Sequence, residues 1–297
     1  MAADLDPRTE LSDFLRTRRA RLKPADLGLA EFGRRRRVPG LKREELAGLA
    51  GVSVAYYTRL EQGNGRNVSA EVLDAVARAL QLSGVEHAHL LHLARAGHGR
   101  RSPTAERQRV RPELLTMLRA IGGTPAYIWG RRSDVLAWNP PAGALFGDWE
   151  SRAEPDRNWA RITFLDPRSR HLFPDWETKA ADVVGHLRWY AGRNQDDPAL
   201  TALLEELTAR SDDFRRMWSA HDVKRKTHGP MRISHALTGD VTLHYETFSL
   251  PDDDNQSLTI YHAAPGSPSE KALRLLTAGP EPTDAPPHPV TELRRFQ

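Results

Sequence analysis

Residues Arg43–Leu60 read REELAGLAGVSVAYYTRL, and their spacing is typical of two short helices that cross at a tight turn. The positions expected to face inward are Leu46, Ala50, Val52, Tyr57 and Leu60. Ala47 is small where the second helix must approach the first, and Gly51 can adopt the positive φ that the turn needs. Ser53 suits the N-cap of the second helix, because its hydroxyl can accept from free backbone N–H groups. This is the pattern of a helix-turn-helix, whose second helix lies in the major groove of DNA.

Charge is distributed unevenly along the 297-residue chain. Residues 1–111 contain 21 lysines and arginines against 13 aspartates and glutamates, whereas the remainder contains 22 against 26. A basic N-terminal part beside an acidic C-terminal part indicates that only the first part meets a polyanion. The length is sufficient for two domains, each with its own core.

The composition also excludes several classes of protein. Cysteine is absent, which excludes disulfides and thiolate chemistry and fits a reducing compartment. No apolar run approaches the roughly 18–20 residues of a membrane helix. The first residues, MAADLDPRTELSDF, lack the apolar segment of a secretory signal. We therefore expect a cytoplasmic protein with no membrane partner.

Around the motif, the sequence predicts an all-α, five-helix bundle over residues 1–97. Apolar residues at helical spacing predict helices over 11–22, 42–50, 54–62, 69–80 and 83–96. Four consecutive arginines, Arg34–Arg37, precede the motif, and we expect Arg35 and Arg36 to contact phosphates. Such contacts add affinity and salt dependence but no sequence information. The alternative is a solvated arginine run with no role in binding.

The second half has a different character. A basic linker is predicted over 98–112, an α+β domain over 113–276 and a disordered, proline-rich tail over 277–297. Two short apolar runs in 126–138 indicate a β-hairpin, and 165–190 and 198–221 have helical spacing. Strands are predicted over 231–237, 241–250 and 256–263, followed by a short helix over 269–276. Strands, then helices, then a run of antiparallel strands are typical of an α+β fold.

Several phrases resemble those of MmyB-type transcription regulators, which join a Cro/repressor-type helix-turn-helix domain to a ligand-binding domain. They are GLKREELAGLAGVSVAYYTRLEQG (40–63), DVLAWN (134–139), ALFGDW (144–149), FLDPRSRHLF (164–173), HDV (221–223), THG (227–229), LHYET (243–247) and APGSPSEKALRLL (264–276). Ala236 stands where the family more usually has proline, and the loop GNGRNVS (63–69) also departs from it. The resemblance implies a PAS-like C-terminal fold that holds a small apolar ligand, with fatty acids as precedent. It implies no enzymatic activity.

The predicted DNA-contacting residues are those that the inward set leaves exposed, together with flanking positive charge. They are Lys42, Arg43, Ser53, Val54, Ala55, Tyr56, Thr58 and Arg59, in addition to Arg35 and Arg36. Arg59 can read guanine or bind a phosphate, and the alternative for it is a salt bridge within the domain. Val54 and Ala55 can contact a thymine methyl group. Lys42 and Arg43 begin the first helix of the motif and are better placed for phosphates than for bases.

For the ligand site, polar residues among apolar ones are the natural candidates, because a pocket is mostly apolar with a few placed polar groups. They are Asn139, Arg188, Trp218, His221, His228 and Tyr245. A carboxylate ligand would want a donor such as Arg188 or a histidine. The alternative for each residue is a purely structural role. His87, His89 and His92 do not share one helix face, so we predict no metal site, and no cofactor or catalytic motif is recognisable.

The leading interpretation is a sequence-specific transcription regulator that is not an enzyme, binds double-stranded DNA as a homodimer and senses a small apolar ligand, possible examples being fatty acids. Two alternatives stay open. In one, a lipid-binding or enzymatic domain carries a DNA-binding appendage. In the other, the protein binds DNA constitutively and its C-terminal domain only dimerises.

Overall fold

A computed structural model describes residues 6–29, 40–65, 68–95, 108–147, 149–194, 196–251 and 255–277. The chain folds as two compact units. The first comprises residues 1–105 with 184–225, and the second comprises residues 106–183 with 226–297. The sequence predicts one domain over 113–276; in the structure, the segment 184–225 of that range packs with the N-terminal helices.

Five helices occupy the N-terminal part of the first unit, as the helical spacing predicts. They are α1 (Pro7–Arg21), α2 (Arg43–Ala50), α3 (Val54–Glu61), α4 (Ala70–Ala79) and α5 (Gly84–Arg95). Their apolar faces meet in one core that includes Leu15, Leu46, Tyr57, Val76 and Leu90. Val223, from the later segment, is part of the same core.

Eight further α-helices and five strands follow within the described ranges. In order they are α6 (Pro112–Ala120), β1 (Ala126–Trp129), β2 (Val135–Trp138), α7 (Pro140–Phe146), α8 (Trp159–Leu165), α9 (Arg168–Leu172), α10 (Trp176–Ala191), α11 (Pro198–Arg210), α12 (Asp212–Ser219), β3 (His228–His235), β4 (Gly239–Ser249), β5 (Ser257–His262) and α13 (Pro268–Thr277). The sequence predicted the β1–β2 hairpin, the longer helices and β3–β5, but not α6, α7 or α8. The division between the two units falls within α10, after Val183.

The five strands form one antiparallel sheet in the order β2-β1-β5-β4-β3. Side chains alternate between its two faces, as the strand period requires. Ala126, Ile128 and Leu258 pack with Leu114 and Leu118 of α6 on one face. Aromatic residues from β1, β4 and β5 occupy the other face. A helical N-terminal region followed by an α+β unit with an antiparallel sheet confirms the predicted fold class.

Candidate nucleic-acid interface and ligand site

The turn between α2 and α3 has the geometry that the sequence predicts. Gly51 ends α2 with φ of 67°, and its N–H donates to the carbonyl of Gly48 at 3.2 Å. Ser53 caps α3, its hydroxyl accepting from the N–H of Tyr56 at 3.1 Å. At the start of α2, the carboxylate of Glu45 accepts from the backbone N–H of Lys42 at 2.7 Å. These caps satisfy backbone groups that a short helix would otherwise leave unpaired.

A buried carboxylate fixes α3 against its neighbours. Glu61, in the last turn of α3, is 2% exposed. It accepts from Arg19 Nε at 2.7 Å and Arg19 Nη2 at 3.0 Å, and from Arg43 Nε at 2.8 Å. Arg19 also donates to the carbonyl of Leu41 at 2.6 Å. Burial alone would raise the pKa of Glu61, but the hydrogen bonds from Arg19 hold it below its usual value. Helices α1, α2 and α3 are thus joined through one anion.

The opposite side of α3 is open to solvent. Val54 is 42% exposed, Ala55 and Arg59 are exposed, and Tyr56 and Thr58 are partly exposed. The Arg59 guanidinium lies 5.8 Å from the centroid of the Tyr56 ring, and no carboxylate of the described residues forms an ion pair with it. The salt bridge that was its alternative is therefore not present in this part of the chain. An unpaired arginine beside a hydroxyl-bearing ring is suited to phosphate or guanine.

The remaining predicted DNA contacts fall into three groups. Lys42 is exposed at the start of α2. Arg43 is half-exposed, but its Nε is bound to Glu61, and the Ser53 hydroxyl is used by the α3 cap. Arg35 and Arg36 lie outside the described residues. The exposed face of α3 with Lys42 is therefore the part of the predicted set that the structure leaves most accessible.

In the second unit, an aromatic cluster covers one face of the sheet. Its members are Tyr127, Phe146, Trp149, Trp159, Tyr245 and Tyr261, all buried. Ring centroids are 5.4 Å apart for Tyr127 and Trp149, 5.0 Å for Phe146 and Tyr261, and 5.9 Å for Tyr245 and Tyr261. Such edge and offset contacts stabilise the packing beyond simple area burial.

Two lysines reach into this aromatic cluster. Lys179, on α10, is 6% exposed, and its Nζ lies 3.7 Å from the centroid of the Trp159 ring. Lys226 precedes β3; its Nζ lies 4.1 Å from the Tyr245 ring centroid and donates to Tyr261 Oη at 2.9 Å. Burial lowers the pKa of Lys226 to about 8, and burial together with the charge of Lys226 lowers the pKa of Lys179 well below its usual value. We refer to Lys179 and Lys226 as the lysine pair.

Sequence reasoning missed the lysine pair. Lys179 lies four residues before Val183 and eight before Leu187, so it falls on the apolar stripe of α10. A lysine in such a stripe is a signal that could have identified it. Lys226 has no comparable signal, because it lies in an irregular segment before β3.

Three of the predicted ligand-binding residues lie together in the first unit. Arg188 is 0% exposed and donates to Glu10 Oε2 at 2.5 Å, to His221 Nδ1 at 2.9 Å and to the carbonyl of Trp218 at 2.5 Å. Its guanidinium also stacks 3.9 Å from the Trp218 ring centroid. Burial and the charge of Arg188 lower the pKa of His221 to about 3, so this histidine is neutral near pH 7. These contacts give Arg188, Trp218 and His221 a packing role beside α1.

The other three predicted residues lie in the second unit. Asn139, 1% exposed, caps α7: its Oδ1 accepts from the N–H groups of Ala126 and Ala142, and its Nδ2 donates to the Thr124 carbonyl. His228 is exposed at the start of β3. Tyr245 is a member of the aromatic cluster. Of the six candidates, Tyr245 is thus the one that the structure places beside the lysine pair.

The histidines considered for a metal have other surroundings. His87 contacts Asp74 at 2.8 Å, and His89 is buried against Phe14 and Trp189. Within the described ranges, no three histidine or acidic side chains meet in a metal-binding group. No helix in the described part of the chain is long and apolar enough to cross a membrane.

Comparison with known families gave two matches. Residues 10–90 match a helix-turn-helix domain, and residues 110–276 match the MmyB-like transcription regulator ligand binding domain. A search of curated proteins gave no match. The first match contains most of α1, all of α2–α4 with the exposed face of α3, and the first part of α5. The second contains the whole sheet, the aromatic cluster and the lysine pair.

Proposed function

This chain belongs to the MmyB-like transcription regulators, and from that premise we propose how its two parts work together. A helix-turn-helix with a ligand-binding domain makes it a DNA-binding transcription regulator. The proposal is that a small apolar ligand such as a fatty acid binds the second unit and changes operator affinity. We further propose that the protein acts as a homodimer reading two half-sites, and that it carries no enzymatic activity.

One observation carries the DNA-binding part of the proposal. The capped turn and the Glu61 anchor hold α3 so that a continuous set of side chains faces outward, and this set includes an arginine without an ion-pair partner among the described residues. Few of these side chains are bidentate base readers. We therefore propose that methyl contacts from Val54 and Ala55, phosphate contacts and DNA shape supply much of the specificity.

Replacing Arg59 with alanine should weaken operator binding by about 1–3 kcal/mol if its guanidinium reads a base. The operator is first selected from a random pool of duplexes, and affinity is then measured by fluorescence anisotropy at fixed salt. Arg119→Ala, an exposed arginine on α6, makes the same charge change in the other unit. Equal affinities for wild type and Arg59→Ala would show that α3 faces the groove differently.

Ligand control is tested by comparing two preparations of the full chain. The first is denatured, extracted with solvent and refolded without ligand. The second is treated in the same way and is then loaded with dodecanoate. We expect their affinities for the selected operator to differ by at least about fivefold, the lower end of usual allosteric coupling. Native mass spectrometry of the same samples reports subunit number and any bound acid. Equal affinities with dodecanoate bound would favour constitutive DNA binding instead.

A further inference from the structure

The lysine pair is a poor arrangement for stability. Lys179 is buried and Lys226 is partly buried, and desolvation of a cation is costly unless an anion compensates it. Lys179 makes neither an ion pair nor a hydrogen bond with any of the described residues; its contacts are the Trp159 and Phe173 rings, at 3.7 and 5.2 Å. Lys226 makes one hydrogen bond, to the neutral hydroxyl of Tyr261. Two lysine amino groups, one buried and one partly buried, therefore share one aromatic surrounding.

The charged and titratable groups around the pair come from four elements. Lys179 and Asp182 lie on α10, Tyr245 on β4, Tyr261 on β5, and Lys226 in the segment before β3. Burial raises the pKa of both tyrosines, so their hydroxyls are neutral near pH 7. The charge of Asp182 opposes the effect of burial on the pKa of both lysines. Neither lysine forms an ion pair with a described residue, so the site has two amino groups that could bind an anion.

We propose that Lys179 and Lys226 bind the acid group of the ligand, which is a monocarboxylate attached to an apolar body. This inference rests on the proposed function, because it assigns the charged end of the same ligand. A carboxylate between the two amino groups offsets positive charge and accepts a hydrogen bond from each. Tyr245 and the Trp159 ring then border the first carbons of the apolar body. The ligand is recognised by its charge first and by its chain second.

Head-group recognition is tested by calorimetric titration of solvent-extracted full-length protein with dodecanoate, methyl dodecanoate, dodecanol and inorganic phosphate. Dodecanoate should bind at least tenfold more tightly than the uncharged analogues, and phosphate should bind weakly. Binding of the ester or the alcohol as tight as that of dodecanoate would overturn the proposal. So would tight binding of phosphate with no binding of dodecanoate, because the site would then serve a different anion.

Substitutions of single lysines test which residues bind the carboxylate of dodecanoate. Lys179→Met and Lys226→Met should each weaken dodecanoate binding about 10- to 100-fold while leaving dodecanol binding unchanged. Lys271→Met, an exposed lysine on α13, is the matched control and should bind as wild type. Dodecanoate binding that survives both substitutions would overturn the proposal, even if the acid still alters operator affinity. Conversely, lysine-dependent binding without any change in operator affinity would leave the acid site standing and refute ligand control.

Stability separates a binding role from a structural one. If the lysine pair exists for the ligand, Lys179→Met should raise the melting temperature of the ligand-free protein by a few degrees, because a buried charge is removed. It should also abolish most of the further rise that dodecanoate causes in wild type. Lower stability of the ligand-free variant, together with an undiminished dodecanoate-induced rise, would show that Lys179 only packs. Circular dichroism confirms that each variant is folded, and Lys179→Gln replaces any that is not.

Discussion

Arg188→Met should lower the free energy of unfolding by about 3–5 kcal/mol, since it leaves the carboxylate of Glu10 buried without its cation. In the wild type, Arg188 is completely buried and joins Glu10 of α1 to His221 and to the carbonyl of Trp218. Methionine fills much of the same volume, so lost packing is not the main expected cause. Urea unfolding followed by circular dichroism measures the change.

Two further variants assign the cause of that loss. Arg210→Met removes an exposed i,i+4 pair with Glu206 on α11, and we expect it to cost no more than about 0.5 kcal/mol. The double variant Glu10→Leu, Arg188→Met removes both charges of the buried pair and should recover most of the loss. If the double variant is as unstable as Arg188→Met alone, the unpaired Glu10 carboxylate is not what destabilises the protein.

This contact shows a packing arrangement that could not be predicted from the sequence. Arg188 and Glu10 are 178 positions apart, and nothing in the helical spacing of α10 indicates that its second half packs with the N-terminal helices. Periodicity reports which face of a helix is buried, but not which element covers it. The sequence therefore predicts Arg188 as a ligand donor among apolar residues, and the structure shows its guanidinium bound to Glu10 of α1, to the Trp218 carbonyl of α12 and to His221.

The helix-turn-helix, by contrast, was predictable in detail. Its determinants are local: the small Ala47, the left-handed Gly51, the Ser53 cap and an inward set at helical spacing. Asn139 shows the limit of such reasoning, because an asparagine before Pro140 can be recognised as a cap but was instead assigned to the pocket. The lysine pair forms because α10 packs near β4 and β5, which are distant in the sequence. Only Lys179 could have been identified from the sequence, because it lies in the apolar stripe of α10.

Glu61→Gln should also destabilise the first unit by about 3–5 kcal/mol, because it leaves the Arg19 guanidinium buried without an anion. Glu61 receives hydrogen bonds from Arg19 and Arg43, and so ties α3 to both α1 and α2. The same substitution at Glu44, exposed in the first turn of α2, removes only a favourable dipole interaction worth about 0.3–1 kcal/mol. Urea unfolding measures the free energy of unfolding of both variants. Because each substitution removes one negative charge, a difference between them reflects the position of the glutamate.

The effect of Glu61→Gln should extend to DNA. Its side chain is buried, faces away from Ala55 and Arg59, and lies two helical turns from Val54, so the substitution removes no direct contact with a base. If the anchor fixes the orientation of α3, operator affinity should fall even at temperatures where the variant is fully folded, and Arg19→Met should behave in the same way. Release of Arg43 from Glu61 works in the opposite direction, because it frees a cation for phosphates and should strengthen non-specific binding. Together these effects predict a smaller ratio of specific to non-specific affinity; an unchanged ratio would mean that the α3 helix keeps its orientation through packing of Tyr57 and Leu60 alone.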